Sequence, residues 1–168
     1  MILKNLSKNF IISILIVLFI FLLDRFSKLY VIFLSEKYNE SQIYSSKFLN
    51  IQLIWNEGIA FGLFSFSEKY LYNLFSAIIL IIIITLLIMI FKSEGFKKFF
   101  LVMILGGAIG NFYDRLVYKA VPDFIDFHIE GFHWFIFNIA DIFISVGVFF
   151  VILYEIIDNN LNKDEKNL

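Results

Sequence analysis

Five of the chain's seven aspartates lie in or beside its apolar runs: Asp24, Asp114, Asp123, Asp126 and Asp141, accompanied by the amides Asn56, Asn111 and Asn138 and by Arg115. A carboxylate at bilayer depth costs roughly 2.5 to 3.5 kcal/mol, so one held there is a functional hypothesis by default. Asp141 is the plainest case, because the residues from Ile142 to Tyr154 after it carry no charge and only Asn138 and His133 interrupt the apolar run before it. Asp123 and Asp126 lie in Val121-Pro122-Asp123-Phe124-Ile125-Asp126, close enough in the chain to face Asp141. Two carboxyl groups sharing a site do not both ionise easily; they titrate as a coupled pair holding one proton. One then acts as base toward water and the other as acid toward a carbonyl. That is the chemistry of aspartic proteolysis, and spacing alone leaves open whether Asp123 or Asp126 is the partner of Asp141.

Other chemistries lack their parts. The chain has no cysteine, which removes thiolate ligands and a Cys nucleophile. Its two histidines, His128 and His133, read as solvated or interfacial, since two His without further ligand spacing do not specify a metal, and no metal or cofactor is expected. Neither a Gly-x-Ser-x-Gly elbow nor a His-Glu-x-x-His run is present. A net charge of -1 with scattered lysines gives no electrostatic footprint for nucleic acid.

The elements that must position these groups are membrane helices. The 168-residue chain is 60% hydrophobic and 17% charged, with 23 Phe and a single Pro, which marks a polytopic membrane protein. Apolar runs predict four spans, at about residues 10–34, 70–91, 96–114 and 136–157, each near the roughly 20 residues that cross a bilayer core. Lys4 and Lys8 precede the first span, and Lys92, Lys97 and Lys98 crowd the connection between the second and third, so both termini are expected on the cytoplasmic side. The N-terminus imitates a secretory signal, but Asp24-Arg25 stands where a small-residue cleavage site is needed, so it reads as a retained anchor. Residues 1–157 are expected to form one domain and residues 158–168 a disordered cytoplasmic tail. The alternation of Ile51, Leu53 and Trp55 predicts a short strand in the first outer segment. With this orientation Asp24, Asn111, Asp114, Asn138 and Asp141 all collect toward the extracytoplasmic face. Spacings of three and four put Asp24 with Lys28, Asn111 with Asp114 and Arg115, and Asn138 with Asp141. Gly106-Gly107-Ala108-Ile109-Gly110 fits a small-residue pattern for close helix packing.

Read in order, Asp24-Arg25-Phe26-Ser27-Lys28, Asn56-Glu57-Gly58-Ile59-Ala60-Phe61-Gly62, Gly106 to Arg115, Val121-Pro122-Asp123-Phe124 and Phe137-Asn138-Ile139-Ala140-Asp141 resemble the bacterial lipoprotein signal peptidases, or signal peptidase II. The resemblance spans about residues 10–157. It implies an all-α integral membrane protein with four transmembrane helices, a small extracytoplasmic β-like cradle from the first outer segment and an outer lid helix from the second. It further implies a monomeric inner-membrane aspartic endopeptidase that uses no cofactor. Its partners would be membrane lipid and diacylglyceryl-modified prolipoproteins, cut just before the modified cysteine. The motifs carry the catalytic pair onto Asp123 and Asp141, and supporting positions onto Asp24, Asn56, Asn111, Asp114, Arg115 and Asn138. Two rivals are a small ion-coupled transporter, which predicts polar groups spread through the bilayer depth, and a non-catalytic assembly subunit held by glycine-rich packing.

Overall fold

The computed structural model describes residues 2–57 and 68–166, with side chains from 8 to 57 and from 73 to 158. Its elements in order are α1 (Ile2–Tyr38), β1 (Gln42–Ser45), β2 (Leu49–Asn56), α2 (Glu68–Lys92), α3 (Gly95–Tyr118), β3 (Val121–Ile129), β4 (Phe132–Phe137) and α4 (Ile139–Lys166). All four helices are long and apolar enough to cross a membrane. Of the Asn56 to Gly62 motif, Gly58–Gly62 lie outside the described residues.

Helix α3 is the hub and touches each of the other three. One face carries Leu101, Val102, Ile104, Leu105 and Ala108 against Ile83, Leu86 and Ile90 of α2. The opposite faces carry the glycines, and their spacing has a direct reason. A Cβ on Gly107 would lie 2.5 Å from the Ala140 carbonyl oxygen of α4, and one on Gly106 would lie 3.0 Å from Ile20 of α1. Only a hydrogen lets the α3 and α4 backbones come this near at Gly107, and at Gly106 it leaves room for the Ile20 side chain. Away from α3, the helices α1, α2 and α4 expose large apolar side chains such as Phe19, Ile81 and Phe149, as a surface solvated by lipid requires.

The four strands make one antiparallel sheet in the order β1-β2-β3-β4. The predicted strand around Ile51, Leu53 and Trp55 is β2, and with β1 it supplies the expected cradle. The second outer segment departs from expectation. Where a lid helix was anticipated, the chain forms the β3–β4 hairpin, and the all-α assignment is corrected to a helical membrane bundle carrying a four-stranded sheet. The cause is local. Val121 to Ile129 and Phe132 to Phe137 are dense in β-branched and aromatic residues, which fit a pleated surface better than a helix. Between them Glu130 and Gly131 both take positive φ, 50° and 86°, the two-residue turn that matches strand twist. At the other end α4 continues to Lys166, with no Gly or Pro after Asp158 to interrupt it.

Candidate active site

The sheet meets the helix ends at Asn138, the residue just before α4. Asn138 and Asp141 cap that helix reciprocally. The Asn138 backbone N–H donates to Asp141 Oδ2 at 3.2 Å, and the Asp141 backbone N–H donates to Asn138 Oδ1 at 3.1 Å. This is the geometry of a capping box, in which the cap and third helical residues satisfy each other's free amides. The Asn138 side-chain oxygen being occupied, its Nδ2 points the other way and donates to Asp123 Oδ1 at 2.6 Å. One residue therefore joins the two carboxylates, reaching Asp123 through its side-chain amide and Asp141 through its backbone N–H. Asp123 also accepts from Asn56 Nδ2 at 2.9 Å, across the β2–β3 pairing that sets Ile54 opposite Asp123.

Asp123 is 4% exposed. Burial pushes its carboxyl up to about 6, and the nearby Asp141 charge adds to this, while the Asn56 and Asn138 amides favour the ionised form and hold it down.

Asp141 is positioned from the helix side. Asn111 Nδ2 donates to Asp141 Oδ1 at 2.7 Å, while Asn111 Oδ1 accepts from Lys28 Nζ at 2.9 Å, so the lysine fixes which way the amide faces. Lys28 is fully buried and also donates to Asp24 Oδ2 at 2.8 Å and Asp114 Oδ2 at 2.7 Å; Asp114 is paired in turn with Arg25. Two acids face two bases, which closes the charge balance out of reach of water. Asp24 spends its other oxygen on the Ala140 N–H at 3.0 Å, one of the free amides of the first turn of α4. A Cβ on Gly110 would lie 2.7 Å from Asp24 Oδ2, so the last glycine of the motif makes room for this carboxylate.

The residues singled out in the sequence thus divide by role. Asn56, Asn111 and Asn138 touch the two central carboxylates, whereas Asp24 and Asp114 anchor the helices behind them. Arg115, half-buried, donates from Nη1 to the Asn111 carbonyl one turn back at 3.3 Å. Asp126 is held elsewhere: Asn50 Nδ2 and Gln52 Nε2 donate to its Oδ2, each at 3.0 Å, and His133 Nδ1 lies 2.9 Å from both oxygens. Burial alone would raise the Asp126 carboxyl, but the hydrogen bonds from His133 and Asn50 and the neighbouring His133 and His128 charges outweigh it and leave it below the usual range. Sequence reasoning missed Asn50 and Gln52 as Asp126 partners and the tie from Lys28 and Arg25 to Asp114. Lys28 was visible as the i+4 neighbour of Asp24, but its second carboxylate lies 86 residues away.

Comparison with known proteins agrees across nearly the whole chain. Residues 16–157 match the family model described as signal peptidase (SPase) II. A lipoprotein signal peptidase of Pelagibacter ubique is 51% identical over 160 residues, covering 95% of this chain and 96% of the relative. One from Francisella tularensis subsp. novicida is 40% identical over 151 residues, covering 86% and 89%. A bacterial membrane enzyme solved by the in meso method superposes with a TM-score of 0.70 at 32% identity, covering 90% of each chain.

Proposed function

This chain belongs to the signal peptidase II family, and from that premise we propose that it is an aspartic endopeptidase that removes the signal peptide from prolipoproteins, with Asp123 and Asp141 as its catalytic pair. The cut falls before a diacylglyceryl-modified cysteine. The enzyme works in the bacterial cytoplasmic membrane as a monomer, with both termini cytoplasmic and the pair near the extracytoplasmic face. The observation that carries the assignment of the pair is Asn138, whose side chain reaches Asp123 while its backbone and side chain close the cap with Asp141. Asp126 is occupied by Asn50, Gln52 and His133 instead.

In this reading a water sits between the two carboxyls. Asp141, held by the Asn111 amide and the Asn138 N–H, takes the proton as the water oxygen attacks the scissile carbonyl carbon. Asp123, whose burial favours the protonated form, donates to the developing oxyanion. Collapse of the tetrahedral intermediate breaks the C–N bond, and the proton held by the pair passes to the leaving amine. No covalent acyl intermediate forms. The acyl chains of the substrate remain in lipid against the exposed Phe and Ile side chains of the bundle, where each buried methylene contributes roughly 0.8 kcal/mol.

The test is cleavage of a diacylglyceryl-modified prolipoprotein by the purified, detergent-solubilised chain, beside its Asp123→Asn, Asp126→Asn and Asp141→Asn variants and an unlipidated substrate. Cleavage of the lipidated substrate alone, lost in Asp123→Asn and Asp141→Asn but kept in Asp126→Asn, is the expected pattern. Activity retained in Asp123→Asn and lost in Asp126→Asn would reassign the pair.

A further inference from the structure

Outside this site the β3–β4 hairpin brings together three side chains that the proteolytic reading leaves unused. Asp126, His128 and His133 each present one ligand atom, and these atoms all lie within 4.8 Å of one another. His128 and His133 are direct cross-strand partners, with rings 5.1 Å apart and only 20° from parallel. A register irregularity between Asp126 and His128 brings the carboxylate to the same place. We infer that Asp126, His128 and His133 form a three-ligand site for a divalent transition-metal ion, Zn2+ foremost, that pins β3 to β4.

Three features support a metal beyond mere proximity. The first is a loose end: His128 Nδ1 is sealed from solvent and has no hydrogen-bond partner among the described residues, an arrangement that a bound cation would complete. The second is orientation of the carboxylate. Asp126 is fully buried and held by Asn50 and Gln52, and Asn50 is itself fixed by the Ser45 hydroxyl at 2.8 Å, as outer partners fix the ligands of metal sites. The third is access, since His133 is half exposed and leaves a fourth position open to water.

The dimensions fit. Zn–N and Zn–O bonds of about 2.0 to 2.2 Å at tetrahedral angles set ligand atoms roughly 3.3 to 3.5 Å apart. His133 Nδ1 and Asp126 lie at 2.9 Å, so they separate by about half an ångström to admit the ion. Two imidazoles with one carboxylate suit Zn2+ over Mg2+ or Ca2+, which prefer all-oxygen sites. The ion would lie apart from the Asp123–Asn138–Asp141 cluster and act on it only through the strands, because β3 carries Asp123 and β4 leads into Asn138.

The test uses the full-length, tag-free chain in detergent, stripped with chelator and titrated with Zn2+ by calorimetry and with Co2+ by visible absorption. Saturable binding of one Zn2+ per chain and an intense ligand-field band with Co2+ are expected. Affinity should fall at least about 10-fold in His133→Ala and His128→Ala, and in Asn50→Ala, which removes a positioning group and no ligand. Asp123→Asn, which leaves the hairpin ligands in place, is expected to bind Zn2+ as the parent does. Absence of a Co2+ band in the parent chain, or equal Zn2+ affinity in the parent and the His128→Ala/His133→Ala double variant, would overturn the site, whatever the proteolysis assay gives.

Discussion

Burial dominates the proton affinity of Asp123, and Asn56 and Asn138 moderate it. Both amides donate to its carboxylate, opposing the burial that raises it to about 6. With Asp123 as the proton donor, raising the pH through this value removes the proton and closes down catalysis, so kcat/KM of the free enzyme should fall on the alkaline side. Asn56→Ala removes a donor that favours the charged form, so the Asp123 pKa rises and the alkaline limb moves to higher pH. A hydrogen bond to a charged group contributes about 1.5 to 3 kcal/mol, which corresponds to a displacement of about one pH unit or more. A pH profile of kcat/KM for both proteins decides this; a limb that stays or moves downward would remove Asp123 as the acid. At this scale much was legible. Asn138 and Asp141 stand three apart ahead of an apolar run, the spacing of a capping box, and both were named from sequence. Spacing left open whether Asp123 or Asp126 is the partner of Asp141, and which of the two lies beside Asn138 depends on strand register and on the irregularity between Ile51 and Ile54 that no one-dimensional pattern displays.

Glycines decide how near α3 lies to its neighbours. Adding a methyl at Gly107 drives a Cβ into the Ala140 carbonyl, a backbone atom that cannot rotate away. Gly107→Ala should therefore destabilise the bundle by about 1 to 3 kcal/mol, or more if α4 must shift. Because α4 begins with the Asn138–Asp141 cap, it should also lower kcat. Thermal unfolding in detergent together with the cleavage rate checks this; an unchanged rate would mean that the α3–α4 approach does not position the pair. The four helices were readable because an apolar run of span length has few other fates. The β3–β4 hairpin was not, because His128, Glu130 and His133 interrupt its alternation and the family resemblance suggested a helix there. Aromatic and β-branched density with a Glu-Gly turn was the signal that could have found it.

For the molecule as a whole, the buried polar groups among the described residues gather at one end of the bundle, between the sheet and the neighbouring helix ends. This is the distribution a surface-facing hydrolytic site needs, not one spread along a transport path. The absence of native cysteine makes sidedness directly measurable. In intact cells a membrane-impermeant maleimide should label Glu130→Cys, at the hairpin turn, and spare Glu94→Cys, between α2 and α3. The reverse pattern would invert the orientation. Sidedness rests on lysine positions in the sequence, whereas the sheet order across both outer segments emerges only once the helices have brought those segments together.

The buried ion cluster has a consequence for how the chain is made. Lys28 leaves the ribosome 86 residues before Asp114, and Arg25 depends on the same late partner. Until α3 arrives, the stretch of α1 from Asp24 to Lys28 holds two bases against one acid, and lipid is a poor home for it. The first helix is expected to keep these two basic side chains near the headgroup layer until the third emerges. A truncated chain ending before α3 lacks Asp114 and leaves Arg25 and Lys28 one acid short, so the charges that brace the finished site should make the unfinished chain shorter-lived, which a pulse–chase of both chains measures.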